Sequence, residues 1–176
     1  RATLPAGAPT TVYDFVPAID EGEPNGTAAS ATLLIDRSGE RTAAGRLSPG
    51  ADLDWYRVEV PSGDRQTLRL EVTSGGPGRC PSGVDTRVTL LDANGTTALV
   101  SDDRDGVGDC SLIDPTTDSG ARALAPGRYF VRVEEDGRNR SVNLYELRAR
   151  LAPVACGNRI LESPAGEQCD DGNTTS

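Results

Sequence analysis

The chain has 176 residues and a formal charge of −9, with 27 acidic residues and 18 basic residues that are all arginine, and it lacks histidine and methionine. Without an imidazole it cannot build a Ser-His-Asp triad, a Cys-His dyad or a histidine-based zinc site. The acidic balance argues against nucleic acid as a partner, and no apolar run reaches the ~18 residues of a membrane span.

The first twenty residues contain Pro5, Pro9 and Pro17 and predict an extended lead-in or an N-terminal strand. Residues 28–34 are long enough for at most two helical turns. From residue 31 onward, apolar side chains recur with a period of two, which is typical of half-buried strands.

About seven to nine short strands follow from this pattern, with no amphipathic helix. In the best of them, Tyr56, Val58 and Val60 share one face. The sequence Asp92-Ala93-Asn94-Gly95 is a strong hairpin signal. Regularly spaced strands separated by turns predict an all-β, antiparallel β-sandwich. The clearest strands are predicted at 55–60, 68–72, 86–91, 96–101, 128–134 and 142–151.

We therefore divide the chain into a lead-in at 1–20, a sandwich at 21–152 and a short tail at 153–176. The tail has no periodicity and is too small to bury a core, so disulfides or a metal must stabilise it.

Two clusters of oxygen-bearing side chains lie just before predicted strands. Ca²⁺ binds six to eight oxygens from carboxylates, amides and carbonyls, and Gly22 and Pro24 shape the backbone of the first cluster. The alternative is an acidic linker rich in proline and glycine. The metal interpretation uses Glu21, Glu23, Asn25, Asp52 and Asp54.

The four cysteines have no zinc-binding spacing, so disulfides in an oxidising compartment are expected. A Cys80–Cys110 bond would contribute roughly 3–4 kcal/mol in the chain-entropy model. Cys156 and Cys169 either pair with each other, or one of them has lost its partner.

A second acidic loop holds Asp102, Asp103, Asp105 and Asp109. These carboxylates suit a second cation site, although the spacing departs from an EF-hand loop. The alternative, which we favour, is a solvated loop held by Cys110.

Two aromatic side chains, Trp55 and Phe130, fall on the faces opposite their inward neighbours. They are candidates for an exposed ligand-binding patch, and the alternative is packing within the sandwich. Paired carboxylates such as Glu134 and Glu135 are a poor basis for glycosidase chemistry, because the chain has seven aromatic residues with which to line a cleft.

Residues 19–151 resemble the bacterial pre-peptidase C-terminal domain, a family that includes collagen-binding domains of collagenases. The resemblance implies a jelly-roll-like, non-catalytic sandwich that accompanies secreted or surface proteins. It also implies that the two acidic clusters bind calcium, with Gly26 able to contribute its carbonyl alone. The matching elements are Glu21-x-Glu23-Pro24-Asn25-x-Thr27, Asp52-x-Asp54-Trp55-Tyr56, Thr86-x-Val88-x-Leu90-Leu91-Asp92, Asp102-Asp103 and Pro126-Gly127-Arg128-Tyr129-Phe130-Val131.

The tail, from Cys156 to Ser176, resembles the start of a cysteine-rich repeat of myxobacterial surface proteins. Such repeats are longer, which predicts that this chain is part of a longer polypeptide with attached domains.

These inferences predict a calcium-binding accessory domain of a secreted or cell-surface bacterial protein. It would act as a spacer, or bind an extracellular protein or polysaccharide. The alternative is a folding aid or inhibitor of an attached secreted protease.

Overall fold

The computed structural model describes residues 19–36 and 39–154, which form two five-stranded sheets. This confirms the all-β sandwich. The strands in chain order are β1 Ile19–Asp20, β2 Thr32–Leu33, β3 Arg41–Leu47, β4 Leu53–Val60, β5 Gln66–Thr73, β6 Thr86–Leu91, β7 Ala98–Asp102, β8 Leu112–Ile113, β9 Gly127–Glu135 and β10 Val142–Pro153.

The first sheet has the order β1-β3-β10-β5-β8 and the second has the order β2-β4-β9-β6-β7. The long strands pair antiparallel, whereas β1 and β2 each run parallel to the strand beside them, β3 and β4. The predicted hairpin joins β6 to β7 within the second sheet. Its turn is closed because the Asp92 carboxylate accepts hydrogen bonds from the backbone N–H groups of Asn94, Thr96 and Thr97.

The core lies between the sheets, where alternate residues of both sheets meet. The predicted inward set Tyr56, Val58 and Val60 is buried, and Leu147 and Ala149 of β10 face it from the other sheet. Period-two patterning thus identified the core face correctly, because alternate residues of each long strand face the other sheet.

Two short turns connect opposite sheets rather than neighbouring strands. The turn at 61–64 leads from β4 in the second sheet to β5 in the first, and the turn at 136–137 leads from β9 to β10 in the same way. A turn signature predicts that the chain reverses, and it does not specify the sheet that the next strand joins.

Residues 28–34 contain a single 3-10 turn, Ala28–Ser30, followed by β2. Thr27 caps this turn, because its hydroxyl accepts a hydrogen bond from the Ser30 N–H at 3.3 Å. A second 3-10 turn spans Ser119–Ala121. Within the described residues, no helix is long and apolar enough to cross a membrane.

The predicted Cys80–Cys110 disulfide is present, with the two Cα atoms 5.9 Å apart. It links the loop before β6 to the loop before β8, and Cys110 is fully buried. Cys156, Cys169 and nearly all of the predicted lead-in and tail lie outside the described residues.

Candidate metal site

The first acidic segment, residues 21–26, crosses from one sheet to the other at the edge of the sandwich. The Glu21 N–H donates to the Ala44 carbonyl of β3 at 3.1 Å, and the Trp55 N–H of β4 donates to the Asn25 carbonyl at 3.1 Å. Backbone hydrogen bonds therefore attach this segment to both sheets and bring it beside the second acidic cluster at the start of β4.

Three of the predicted ligands come together. One carboxylate oxygen each from Glu23, Asp52 and Asp54 lies within 4.8 Å of the other two. Two oxygens bound 2.3–2.6 Å from one calcium ion are at most about 5.2 Å apart, so this spacing fits a single ion. Among the described residues it is the one such group of three.

Loop and strand geometry holds the second acidic cluster in place. The Asp52 carboxylate accepts the backbone N–H of Ser48 and of Leu53, each at 3.0 Å. Asp54 lies on β4 with no solvent exposure, so its carboxyl points into the interior between the sheets. The pair thus offers one half-buried and one buried carboxylate to the same point.

Asp54 belongs to a polar chain that spans the sandwich. Tyr145 of β10 donates its hydroxyl hydrogen to Asp54 Oδ2, and the Tyr56 hydroxyl lies 2.6 Å from that of Tyr145. Because Tyr145 gives its one proton to Asp54, Tyr56 is the donor in the second hydrogen bond. The two sheets are therefore linked through Asp54.

Burial raises the pKa of Asp54 from its ordinary value near 3.8 to about 8. The Tyr145 hydrogen bond opposes that rise, and the charges of Glu21 and Asp52 add to it. A carboxyl with this pKa is protonated at neutral pH unless a cation replaces the proton.

Glu21 is buried, and its charge is one of the causes that raise the pKa of the Asp54 carboxyl. Its Oε2 also accepts the backbone N–H of Arg46 at 2.8 Å. Glu21 therefore lies next to the group of three carboxylates without being part of it, and a water or a small shift would be needed to bring it to the same ion.

Two buried acceptor atoms at the site have no hydrogen-bond donor among the described residues. They are Oδ1 of Asn25 and Oδ1 of Asp54, and both residues are fully buried. An unpaired buried acceptor is costly, about 1–3 kcal/mol, so each of these atoms calls for a cation or a water. The donor set consists entirely of oxygens, which suits a hard cation such as Ca²⁺.

Gly26, the remaining predicted ligand, is exposed, and its carbonyl takes part in no hydrogen bond of the described residues. The Asn25 carbonyl, in contrast, accepts a hydrogen bond from the Trp55 N–H of β4. Coordination by the Gly26 carbonyl stays a prediction.

The second predicted cation site is less organised. Asp102 Oδ1 accepts the backbone N–H of Leu112 at 2.7 Å, and Asp103 lies 3.6 Å from the Arg87 guanidinium. Asp105 and Asp109 are exposed. These contacts are those of a hydrogen-bonded loop, and cation binding there also remains a prediction.

The prediction of an exposed aromatic patch is wrong. Trp55 and Phe130 do face away from the main core, but their exposed fractions are 8% and 5%. Their rings pack edge to face, with centroids 6.2 Å apart. The 3-10 turn containing Ala28 covers them, as does Gly95 of the β6–β7 hairpin, so the outer face of this sheet has its own small apolar cluster.

Sequence reasoning missed Tyr145, Tyr56 and Gly45 as parts of the site. A Cβ on Gly45 would lie 2.5 Å from both the Tyr145 ring and Glu21 Oε2, so only glycine fits there. Tyr145 and Tyr56 matched the apolar pattern of the core, and a tyrosine in such a pattern is itself a signal because its buried hydroxyl needs a partner.

Fold and site together define a small all-β sandwich. Its carboxylate cluster lies at the edge where the segment 21–26 crosses from one sheet to the other. The sequence model of the bacterial pre-peptidase C-terminal domain matches residues 52–135. The predicted resemblance to that family is thus confirmed over β4 to β9, a segment that includes Asp52 and Asp54 but not residues 21–25. No curated protein matches the sequence significantly.

Three solved structures are similar to this chain at low identity. The periplasmic inhibitor of g-type lysozyme PliG from Aeromonas hydrophila is 16% identical, with TM-score 0.45, over 69% of this chain and 96% of that one. The collagenase pre-peptidase C-terminal domain from Bacillus anthracis is 16% identical, with TM-score 0.45, over 68% and 94%. PliG from Salmonella Typhimurium is 14% identical, with TM-score 0.43, over 69% and 99%.

Proposed function

We propose that this chain is a non-catalytic accessory domain of a secreted or cell-surface bacterial protein, and that it binds one Ca²⁺ ion through Glu23, Asp52 and Asp54. The observation that supports this most strongly is the convergence of these carboxylates, from two segments distant in sequence, within 4.8 Å. The unpaired Oδ1 atoms of Asp54 and Asn25 give the ion further oxygen ligands.

In this proposal the ion has a structural role. It would join the segment 21–26 to the start of β4 and compensate the charge of a buried carboxylate, and both effects favour the folded chain. The proposed role is structural and requires no catalysis. The Asp54 carboxyl is hydrogen-bonded to a tyrosine, and the chain has no histidine to act as a general base.

The burial of the aromatic pair supports one proposed role of the domain over another. The aromatic pair that polymer recognition would use is covered, so we favour a spacer role over binding of a polysaccharide through an aromatic strip.

The first prediction concerns calcium and thermal stability. We expect calcium to raise the melting temperature of the full chain relative to EDTA, because an ion at a hundred times its dissociation constant stabilises the folded state by about 2.7 kcal/mol. Replacing Glu23 and Asp52 together by alanine should abolish the rise. Differential scanning calorimetry would measure both.

A double variant of the same charge change, Glu59→Ala with Asp64→Ala, is the matched control, because both residues are exposed and outside the acidic clusters. It should retain the rise. A wild-type melting curve that EDTA leaves unchanged, or an equal loss of the rise in the control, would refute the proposed site.

A further inference from the structure

A concavity of about 460 Å³ is distinct from the candidate metal site, since none of its lining residues belongs to the acidic segment 21–26 or to the start of β4. Its walls are the β6–β7 hairpin and the segment 120–129, which ends in the first residues of β9. Leu99 and Leu124 form part of an apolar lining, and Arg65, Arg122 and Arg128 surround it.

The arginines of this concavity have fewer carboxylate partners than those on the faces of the sheets. Arginines such as Arg69, Arg132 and Arg148 each pair with a carboxylate on the same strand. In contrast, no carboxylate of the described residues lies within 4.0 Å of the guanidinium of Arg65 or of Arg122, and Arg128 reaches only Glu59, at 3.7 Å. Positive charge therefore collects here on a protein whose formal charge is −9.

Backbone carbonyls hold two of these side chains in place. Arg65 donates from Nη1 to the Ala123 carbonyl at 2.7 Å, and Arg122 donates to the carbonyls of Pro115 and Thr116. A guanidinium has five N–H donors, so each keeps donors for a ligand. Holding the groups by carbonyls fixes their position without neutralising their charge.

The backbone at Ala123 is strained. Its φ is +49°, in the left-handed region that costs a residue with a Cβ about 1–2 kcal/mol, and its carbonyl is the one that positions Arg65. Strain of this kind is concentrated at sites that bind or switch.

One acidic group, Asp92, also lines the concavity. Its Oδ1 accepts three backbone N–H groups of the hairpin at 3.1–3.2 Å, which hold the carboxylate in the turn. Within the described residues it forms no ion pair with Arg65, Arg122 or Arg128, so it does not occupy their guanidinium groups.

We propose that this concavity binds an acidic peptide segment of a partner protein. A carboxylate of the segment would be gripped by Arg65 and Arg122, and a neighbouring apolar side chain would rest on Leu99 and Leu124. Arginine suits this role because its planar fork pairs with a carboxylate through two parallel hydrogen bonds.

The test is a titration of the isotope-labelled full chain, followed by NMR chemical shifts, with the peptide acetyl-Leu-Glu-Leu-Asp-amide at up to about 10 mM. We expect saturable shifts confined to Arg65 and to residues 92–99 and 120–129. The neutral peptide acetyl-Leu-Gln-Leu-Asn-amide should bind at least about tenfold more weakly, because charge-assisted hydrogen bonds are lost.

The variants Arg65→Gln and Arg128→Gln should each weaken binding of the acidic peptide, the former by about tenfold or more. Arg79→Gln is the matched control, since Arg79 is exposed, has no ion pair among the described residues and lies outside the concavity. Absence of shifts, equal binding of the neutral peptide, or full binding by Arg65→Gln would each overturn the proposal.

Discussion

Without calcium, the stability of this protein should fall as the pH rises from about 5.5 to 7.5, by up to about 1.4 kcal/mol for each pH unit. The cause is Asp54, whose pKa is near 3.8 in the unfolded chain and about 8 in the folded one, because the carboxyl is buried. Between these values the folded state holds one proton more than the unfolded state. Its stabilising effect is therefore complete below pH 4 and is lost as the pH approaches 8.

The amino-acid composition allows this dependence of stability on pH to be assigned to Asp54. The chain has no histidine, so no side chain with an ordinary pKa titrates between pH 5.5 and 7.5. Asp54→Asn should flatten the slope, because the amide is neutral at every pH. Glu59→Gln removes an exposed carboxylate from the same strand and should leave the slope as it is.

Calcium should reverse the trend. Since the ion competes with the proton on Asp54, the difference in stability between calcium and EDTA should grow as the pH rises. Urea denaturation of the full chain at several pH values, with either additive, measures both effects. A flat profile in EDTA for the wild type would contradict a protonated Asp54.

Substituting Gly45 by alanine should destabilise the fold by about 3 kcal/mol, the upper part of the range for overpacking a core. Gly45 is opposite Tyr145 in the pairing of β3 with β10. An added Cβ would press on the Tyr145 ring and on the carboxylate of Glu21, each 2.5 Å away. Neither can retreat, since one is in the core and the other accepts the Arg46 N–H.

The control is Gly26→Ala, where the nearest atom to a new Cβ is the Leu53 carbonyl oxygen at 3.6 Å. That variant should stay within about 0.5 kcal/mol of the wild type in urea denaturation, as ordinary surface substitutions do. Equal stability of the Gly45 variant and the wild type would show that Tyr145 and Glu21 are not packed against this position.

Local pattern predicted most of the fold because alternate apolar residues of the long strands face the core between the sheets. The run 86–91 was placed with its bounds correct, and the hairpin after it followed from Asp92 to Gly95. The strands β1 and β2 escaped prediction because two residues are too few to show a period. Their positions depend on which neighbouring strand each meets in space.

The candidate site was also predictable in part, because some of its residues lie close together in the sequence. Carboxylates at i and i+2 before a strand suggested Glu23, Asp52 and Asp54, and the structure brings these three together. The surroundings of Asp54 come from Tyr145, 91 positions away in the chain, so no local spacing reveals them. The burial of Trp55 likewise depends on Ala28 and Gly95, which cover it from two distant segments.

Calorimetric titration of the full chain with CaCl₂ at pH 7, in two buffers of different ionisation enthalpy, tests the central claim most directly. The account predicts one ion bound for each chain and release of about one proton, since the ion displaces the proton of Asp54. Asp54→Asn should bind more weakly and release none. The absence of binding heat in the wild type, or binding of the same affinity and proton release in Asp54→Asn, would contradict the account.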